Sequence, residues 1–266
     1  MFGWLSKPRC PCYPRAKEWV EERLGWIRTE FTSTVFDDRP LIYPTDDFFP
    51  DDYDFSEDAA RVLLRRVSGF MGVPFERLVL RITHDSKKVW LVNHAGQYIP
   101  HAAGTFQGGY GSTYVITVER DELARPHDLI ATFAHELAHA RLLGEGRLNA
   151  RTFDNELVTD LTALALGFGI FLANSPRNWD SQNSYWPGSS LSRPEYMTPP
   201  LFGYALAHLA WFDGQQKPGW ERYLAPASKA DFRQAVRFLF ATSDTTFRPR
   251  PRAMTNVIQL IRPDGV

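Results

Sequence analysis

The stretch LIATFAHELAHARLLG constrains the fold of this chain more than any other part of the sequence. Apart from Thr132 and the group His135, Glu136 and His139, every residue of 129–140 is apolar. A helix that is apolar on all sides is buried, so the two imidazoles and the carboxylate need partners inside the protein. We therefore expect a buried central helix that carries a polar site.

The polar group has the spacing HExxH, from His135 to His139. Residues four apart lie on one face of a helix, so both imidazoles can reach one ion while Glu136 addresses a water on that ion. The alternative is a pair of core histidines bonded to backbone, with Glu136 as a surface charge. Buried polar groups without partners cost roughly 1–3 kcal/mol each, which favours one bound zinc ion.

A hydrolytic zinc site needs a third protein ligand and an open position for water. The downstream candidates are Glu145, Asp154, Glu156, Asp160 and His208. Glu145 follows the expected helix end and is predicted to be solvated. The segment NELVTD opens a second apolar helix with Glu156 and Asp160 on one face, so one carboxylate can bind metal while the other accepts an imidazole N–H. The alternative is two first-turn acids that interact with the helix dipole.

HELAH followed by NELVTD resembles the gluzincin-type zinc metallopeptidases, in which HExxH precedes a helix with NExxSD or ExxxD. Thr159 stands where that family has Ser, and Glu145 occupies the position of the third His of metzincins. The resemblance implies a zincin-like fold and a peptide or protein substrate. It also implies these roles: His135, His139 and Glu156 as ligands, Glu136 as the general base on a zinc-bound water, and Asp160 as the partner of a ligating imidazole.

The remaining patterns predict an α+β fold in which a small sheet precedes a mostly helical half. Helices are expected at about 15–26, 57–71, 126–143, 154–173, 199–213 and 228–241, and short strands at LVLRIT, KVWLVN and STYVITVE. We expect one compact unit with three parts: 1–125 with the first helices and the sheet, 126–247 with the zinc-site helices, and 248–266 as an extended tail.

Two further expectations concern the surroundings of the site. STYVITVE directly precedes the HExxH helix and is expected to be an edge strand that binds substrate backbone, the alternative being an ordinary core strand. The helix at 199–213 places Tyr204 and His208 one turn apart on one face. They are candidate catalytic donors to a developing oxyanion, and the alternative is that both pack in the core.

Composition limits the partners. Lys+Arg 30 against Asp+Glu 31 gives a net charge of −1, so no nucleic acid or anionic membrane is expected. The apolar run 161–173 is shorter than the ~20 residues of a membrane span and reads as a core helix. Cys10 and Cys12 are expected to be a flexible unpaired pair, and with no apparent secretory signal they favour a cytoplasmic location.

Two other functions remain open from the sequence. A zincin-fold protein could keep its metal and act only by binding a partner, with the cleft closed by the loop 174–196 or by the tail. A helical interaction module would have metal-free histidines. The sequence specifies neither the natural substrate nor the oligomeric state.

Overall fold

Helices make up most of the chain. A computed structural model describes residues 8–31, 40–83, 91–92, 98–99, 104–107, 113–175 and 197–248, and seven α-helices occur in these ranges. They are α1 (Pro14–Glu30), α2 (Glu57–Met71), α3 (Pro126–His139), α4 (Asn155–Ala163), α5 (Gly169–Asn174), α6 (Pro199–Phe212) and α7 (Pro226–Thr242). With the strands described below, they confirm the α+β class.

Local signals set the bounds of α2 where the sequence predicted them. The Ser56 side chain accepts a hydrogen bond from the backbone N–H of Ala59 at 3.0 Å, and Glu57 and Asp58 occupy the first turn. Gly72 ends the helix in the left-handed region, with φ at 68°. Capping residues therefore mark both ends of this helix in the sequence.

Within the described residues, five short strands form two sheets. They are β1 (Leu78–Thr83), β2 (Leu91–Val92), β3 (Tyr98–Ile99), β4 (Gly104–Gln107) and β5 (Tyr114–Glu119). β2 and β3 form an antiparallel ribbon. In the other sheet the order is β1-β5-β4, with β5 parallel to β1 and antiparallel to β4.

The strand STYVITVE is therefore not an edge strand. It forms β5, which has a neighbour on both sides, and its alternate residues Tyr114, Ile116 and Val118 are buried. In the described part of the sheet, β4 occupies an edge and packs against α3. The edge-strand prediction was wrong because strand pairing depends on segments that sequence periodicity does not connect.

The predicted continuous helix at 154–173 is interrupted. A π-turn over Leu164–Phe168 separates α4 from α5, and Gly167 has a φ of 109°. The Gly167 carbonyl accepts the N–H of Ile42 at 2.9 Å, and a Cβ at this position would lie 2.5 Å from the carbonyl oxygen of Pro40. Only glycine combines this backbone conformation with so close an approach, and the break fits the helix around the segment at 40–42.

The segment 155–174 is long and apolar enough to cross a membrane, with a mean hydropathy of 1.6, and 94% of it is buried inside the protein. This burial agrees with the expected core helix. A single hydrophobic cluster extends from Ala16 in α1 to Phe247 after α7, so it includes residues on both sides of the boundary expected at 125. The loop 176–196 and the tail 249–266 lie outside the described residues.

Candidate metal centre

Helices α3 and α4 pack against each other and bring the two sequence motifs together. The apolar positions of α3 are buried as expected, with Ala134, Leu137 and Ala138 fully inaccessible. The polar positions His135 and His139 are only 4% and 7% exposed. The helix therefore holds two imidazoles inside the protein, facing the first turn of α4.

His135, His139 and Glu156 converge on one point. Oε2 of Glu156 lies 3.2 Å from Nε2 of His135 and 3.2 Å from Nε2 of His139. The three candidate ligand atoms all lie within 4.8 Å of one another. Ligand bonds of about 2.1 Å at a tetrahedral angle place two ligand atoms about 3.4 Å apart. This group could therefore hold a metal ion.

The contact of Nδ1 of His135 with Asp160 determines that Nε2 is the nitrogen that faces Glu156. Nδ1 of His135 lies 2.8 Å from Oδ1 of Asp160, which is completely buried. An ionised carboxylate only accepts, so a neutral His135 donates its Nδ1 hydrogen and turns the Nε2 lone pair towards Glu156. A lone pair that faces a carboxylate oxygen requires a cation or proton between them. The donor chemistry thus fits a metal ion.

Glu156 is charged and held by its neighbours. Burial raises the pKa of this carboxyl group, but His139 and His135 together lower it by more than burial raises it. The pKa is therefore well below its usual range. The side chain amide of Asn155 donates to Oε1 at 3.2 Å, which leaves Oε2 directed at the histidines. Glu156 therefore offers one ionised oxygen to the site.

Asp160 is itself fixed from the other side. Its Oδ2 accepts the backbone N–H of Met197 at 3.0 Å, so both carboxylate oxygens are bonded. This contact ties α4 to the segment that leads into α6. Asp160 therefore lies where the resemblance placed it, beside an imidazole and behind the three ligand atoms.

Glu136 lies one residue after His135 and three before His139, and it is only 3% exposed. Positions three apart are neighbours on a helix surface, so this carboxyl group belongs to the same stretch of α3 as the two histidines. The position is buried, contrary to the surface-charge alternative. Glu136 is therefore a candidate base.

Two of the alternative third ligands are engaged elsewhere. Asp154 accepts hydrogen bonds from the Trp19 indole at 2.7 Å and from Arg23, at 2.7 Å from Nε and 2.8 Å from Nη2. Glu145 forms ion pairs with Arg141 and Arg147 at 2.6 and 2.7 Å. Asp154 therefore anchors the start of α4 to α1, while Glu145 stabilises the turn after α3.

The structure places the polar atoms of Tyr204 and His208 in a buried hydrogen-bond network. The Tyr204 hydroxyl donates to Oε1 of Glu21 at 2.6 Å. His208 contacts the Tyr204 carbonyl through Nδ1 at 3.0 Å and the Thr245 hydroxyl through Nε2 at 2.9 Å. These contacts agree with the core-packing alternative.

The hydrogen-bond partners of Tyr204 and His208 could not be identified from the sequence. Their side-chain partners lie far along the chain: Glu21 is 183 residues before Tyr204, and Thr245 is 37 residues after His208. A phenol and an imidazole on an apolar face satisfy both alternatives equally well until those partners are known. Glu21 also accepts from Lys17 at 3.0 Å and from Thr246, so it ties the end of α7 to α1.

Two smaller features lie away from the metal-ligand group. Cys10 and Cys12 are free thiols that pack against the core, and Cys12 Sγ donates to the Pro200 carbonyl at 3.3 Å, so the pair is not the flexible one expected. A cavity of about 170 Å³ lies between the 44–53 loop, α2 and the first turns of α3, and its lining includes none of the three ligands.

Four contacts in and around the metal-ligand group were not predicted from the sequence. They are Thr159 to His139, Asn155 to Glu156, Arg23 to Asp154 and Trp19 to Asp154. Thr159 and Asn155 were detectable in principle, because each directly precedes a residue that the sequence assigned to the site. The α1 contacts had no local signal.

Comparison with known proteins finds no matching family model, no matching curated protein and no matching solved structure. The class that the structure itself defines is an α+β protein whose two buried helices present a His, His, Glu group able to hold a metal ion.

Proposed function

We propose that this protein is a zinc-dependent hydrolase, a metallopeptidase of the gluzincin type. The observation that carries the proposal is the convergence of Nε2 of His135, Nε2 of His139 and Oε2 of Glu156 next to a buried glutamate in HExxH. Two imidazoles, one carboxylate and an open fourth position form the ligand set of hydrolytic zinc sites.

His135, His139 and Glu156 would hold the ion, which supplies a Lewis acid that acidifies water and polarises a carbonyl group. The chain's own part is proton transfer. Glu136 accepts the proton of the attacking water on its carboxylate and returns it to the leaving amine. Asp160 keeps the hydrogen of His135 on Nδ1, so that Nε2 remains a lone-pair donor throughout.

A zincin-like arrangement is supported by the order of elements, with a small mixed sheet followed by the HExxH helix and the NELVTD helix. β4 replaces β5 as the candidate strand for an extended peptide, because it has a described neighbour on one side only and packs against α3. Backbone pairing along such a strand would align a peptide or protein substrate.

The proposal includes a cytoplasmic location and no nucleic-acid or membrane partner. A net charge of −1 provides no general attraction for nucleic acid or anionic lipid. A cytoplasmic location agrees with the free thiols. The competing function is a zincin-fold protein that retains the metal and acts only as a binding or regulatory module.

The decisive experiment compares three zinc-loaded proteins on a diverse peptide library, with products read by mass spectrometry. The proteins are the wild type, Glu136→Gln and Glu122→Gln. Glu122 provides a matched control, because it is also buried, at 4% exposure, and hydrogen-bonds Thr132 at 3.5 Å outside the ligand group.

The wild type and Glu122→Gln should cleave peptides, and Glu136→Gln should retain zinc while it loses about 10²–10⁴-fold in rate. Cleavage by Glu136→Gln at the wild-type rate would remove the general-base role. No cleavage by any zinc-loaded protein would favour the binding module instead.

A further inference from the structure

Thr159 lies behind His139 in the position that Asp160 takes behind His135. Its hydroxyl oxygen is 3.3 Å from Nδ1 of His139, and its side chain is completely buried. Two consecutive residues of α4 therefore contact the outer nitrogens of the two imidazoles of α3. The two contacts differ in charge, since one partner is a carboxylate and the other a neutral hydroxyl.

The hydroxyl has one hydrogen and two candidate acceptors. The carbonyl oxygen of Asn155 lies 2.8 Å away, at the ideal length for an O–H···O bond, whereas Nδ1 of His139 lies 3.3 Å away. The hydrogen therefore goes to Asn155, one helical turn back. The oxygen lone pairs remain, and they can only accept from His139.

We infer that Thr159 is the positioning residue that keeps the hydrogen of His139 on Nδ1 and so leaves Nε2 as a metal-binding lone pair. This inference rests on the proposed function, because it concerns the same ligand group. It adds a role for the position where the gluzincin motif has Ser. A residue with a hydroxyl at this position is required, and its methyl group is not.

The alternative tautomer of His139 carries its hydrogen on Nε2. In that form, His139 would donate to Oε2 of Glu156 at 3.2 Å and could not bind a metal through Nε2, the nitrogen that faces the other two ligands. Loss of the Thr159 oxygen would leave a buried Nδ1–H without this acceptor and shift the imidazole towards that form. Metal affinity should therefore fall even though all three ligands remain.

The test compares the wild type, Thr159→Val, Thr159→Ser and Thr162→Val. Thr162 is a matched control: it lies in the same helix, is also completely buried, and its hydroxyl has no hydrogen-bond partner among the described residues. Zinc dissociation constants are measured by competition with a chromophoric chelator, and the thermal midpoint of each metal-free protein monitors folding.

Thr159→Val should bind zinc about 10–100-fold more weakly, while Thr159→Ser and Thr162→Val should stay within about threefold of the wild type. Equal zinc affinity for Thr159→Val and the wild type would overturn the role of Thr159 and leave the proposed hydrolase intact. Failure of the wild type itself to bind zinc would overturn both.

A second measurement reads the tautomer of His139 directly. Long-range ¹H–¹⁵N correlation of the histidine rings in the zinc-loaded wild type should show the hydrogen of His139 on Nδ1 and, in Thr159→Ser, the same pattern. A signal that places the hydrogen of His139 on Nε2, with Nδ1 as the ligand, would contradict the inference directly.

Discussion

Oδ1 of Asp160 lies 2.8 Å from Nδ1 of His135, across the interface of two buried helices. The pair connects residues 25 positions apart and leaves Nε2 of His135 directed at Glu156. One side chain on α4 thus orients a ligand on α3 while a second side chain of α4, Glu156, provides another ligand. Helix α4 therefore provides both a candidate ligand and the residue that orients a candidate ligand on α3.

Replacement of Asp160 should weaken metal binding without removing a ligand. We expect Asp160→Asn to raise the zinc dissociation constant about 10–100-fold, because the neutral amide no longer stabilises the Nδ1 hydrogen of His135. Asp128→Asn is the control, since Asp128 pairs with Arg125 at the start of α3. Chelator competition measures both, and unchanged affinity in Asp160→Asn would make Asp160 a structural acid only.

Loss of Asp154 should reduce stability. Its carboxylate takes three hydrogen bonds from α1, two of them from the Arg23 guanidinium. Asp154→Ala is expected to lower the free energy of unfolding by about 2–4 kcal/mol, because the buried Trp19 N–H and the Arg23 charge lose their partner.

The control for Asp154 is the exposed pair of Lys17 with Asp244, whose carboxylate is 63% exposed. Asp244→Ala should cost less than about 1 kcal/mol. Denaturant unfolding measures both changes. Similar small losses in the two variants would show that Asp154 does not hold α4 in place.

The sequence was informative where structure is determined locally. HELAH and NELVTD lie on amphipathic or apolar helical patterns with clear starts, so the ligand helices were predictable. A contact between Asp160 and a ligating imidazole was implied by the resemblance, but which imidazole was not specified. The central position of β5, the break at Gly167 and the partner of Tyr204 were not predictable. Each depends on a segment elsewhere in the chain: β4, the Pro40–Ile42 backbone and Glu21, respectively.

Tyr204 should behave as a structural residue. Tyr204→Phe removes one hydrogen bond to the buried Glu21 and is expected to lower the free energy of unfolding by about 1–3 kcal/mol, with zinc affinity unchanged. Chemical denaturation and chelator competition provide the two readouts. A variant with full stability and a hundredfold lower hydrolysis rate would instead support the original oxyanion-donor hypothesis.

His208 should make stability depend on pH. Burial lowers its pKa to about 4, the Tyr204 carbonyl and the Glu21 charge raise it in part, and Lys17 lowers it. The unfolded chain, with a histidine pKa near ~6.5, therefore binds more protons between about pH 6.5 and 4. The free energy of unfolding should fall as pH falls through this window, by about 3 kcal/mol from this group alone.

The pH effect is isolated by subtraction. Unfolding of the wild type and of His208→Gln is measured from pH 7.5 to 4, and contributions common to both, including those of the ligand histidines, cancel in the difference. The difference in free energy of unfolding between the wild type and His208→Gln should decrease towards acid pH, because the variant lacks the titrating group. Parallel curves would show that folding does not shift the pKa of His208.

The central claim is that His135, His139 and Glu156 form one metal centre, and the most direct measurement is the zinc content of the purified protein by plasma mass spectrometry. The wild type should contain about one zinc ion per chain, and His135→Ala, His139→Ala and Glu156→Ala should each lose most of it. A wild type without metal after zinc loading, or full zinc content in all three variants, would contradict the account.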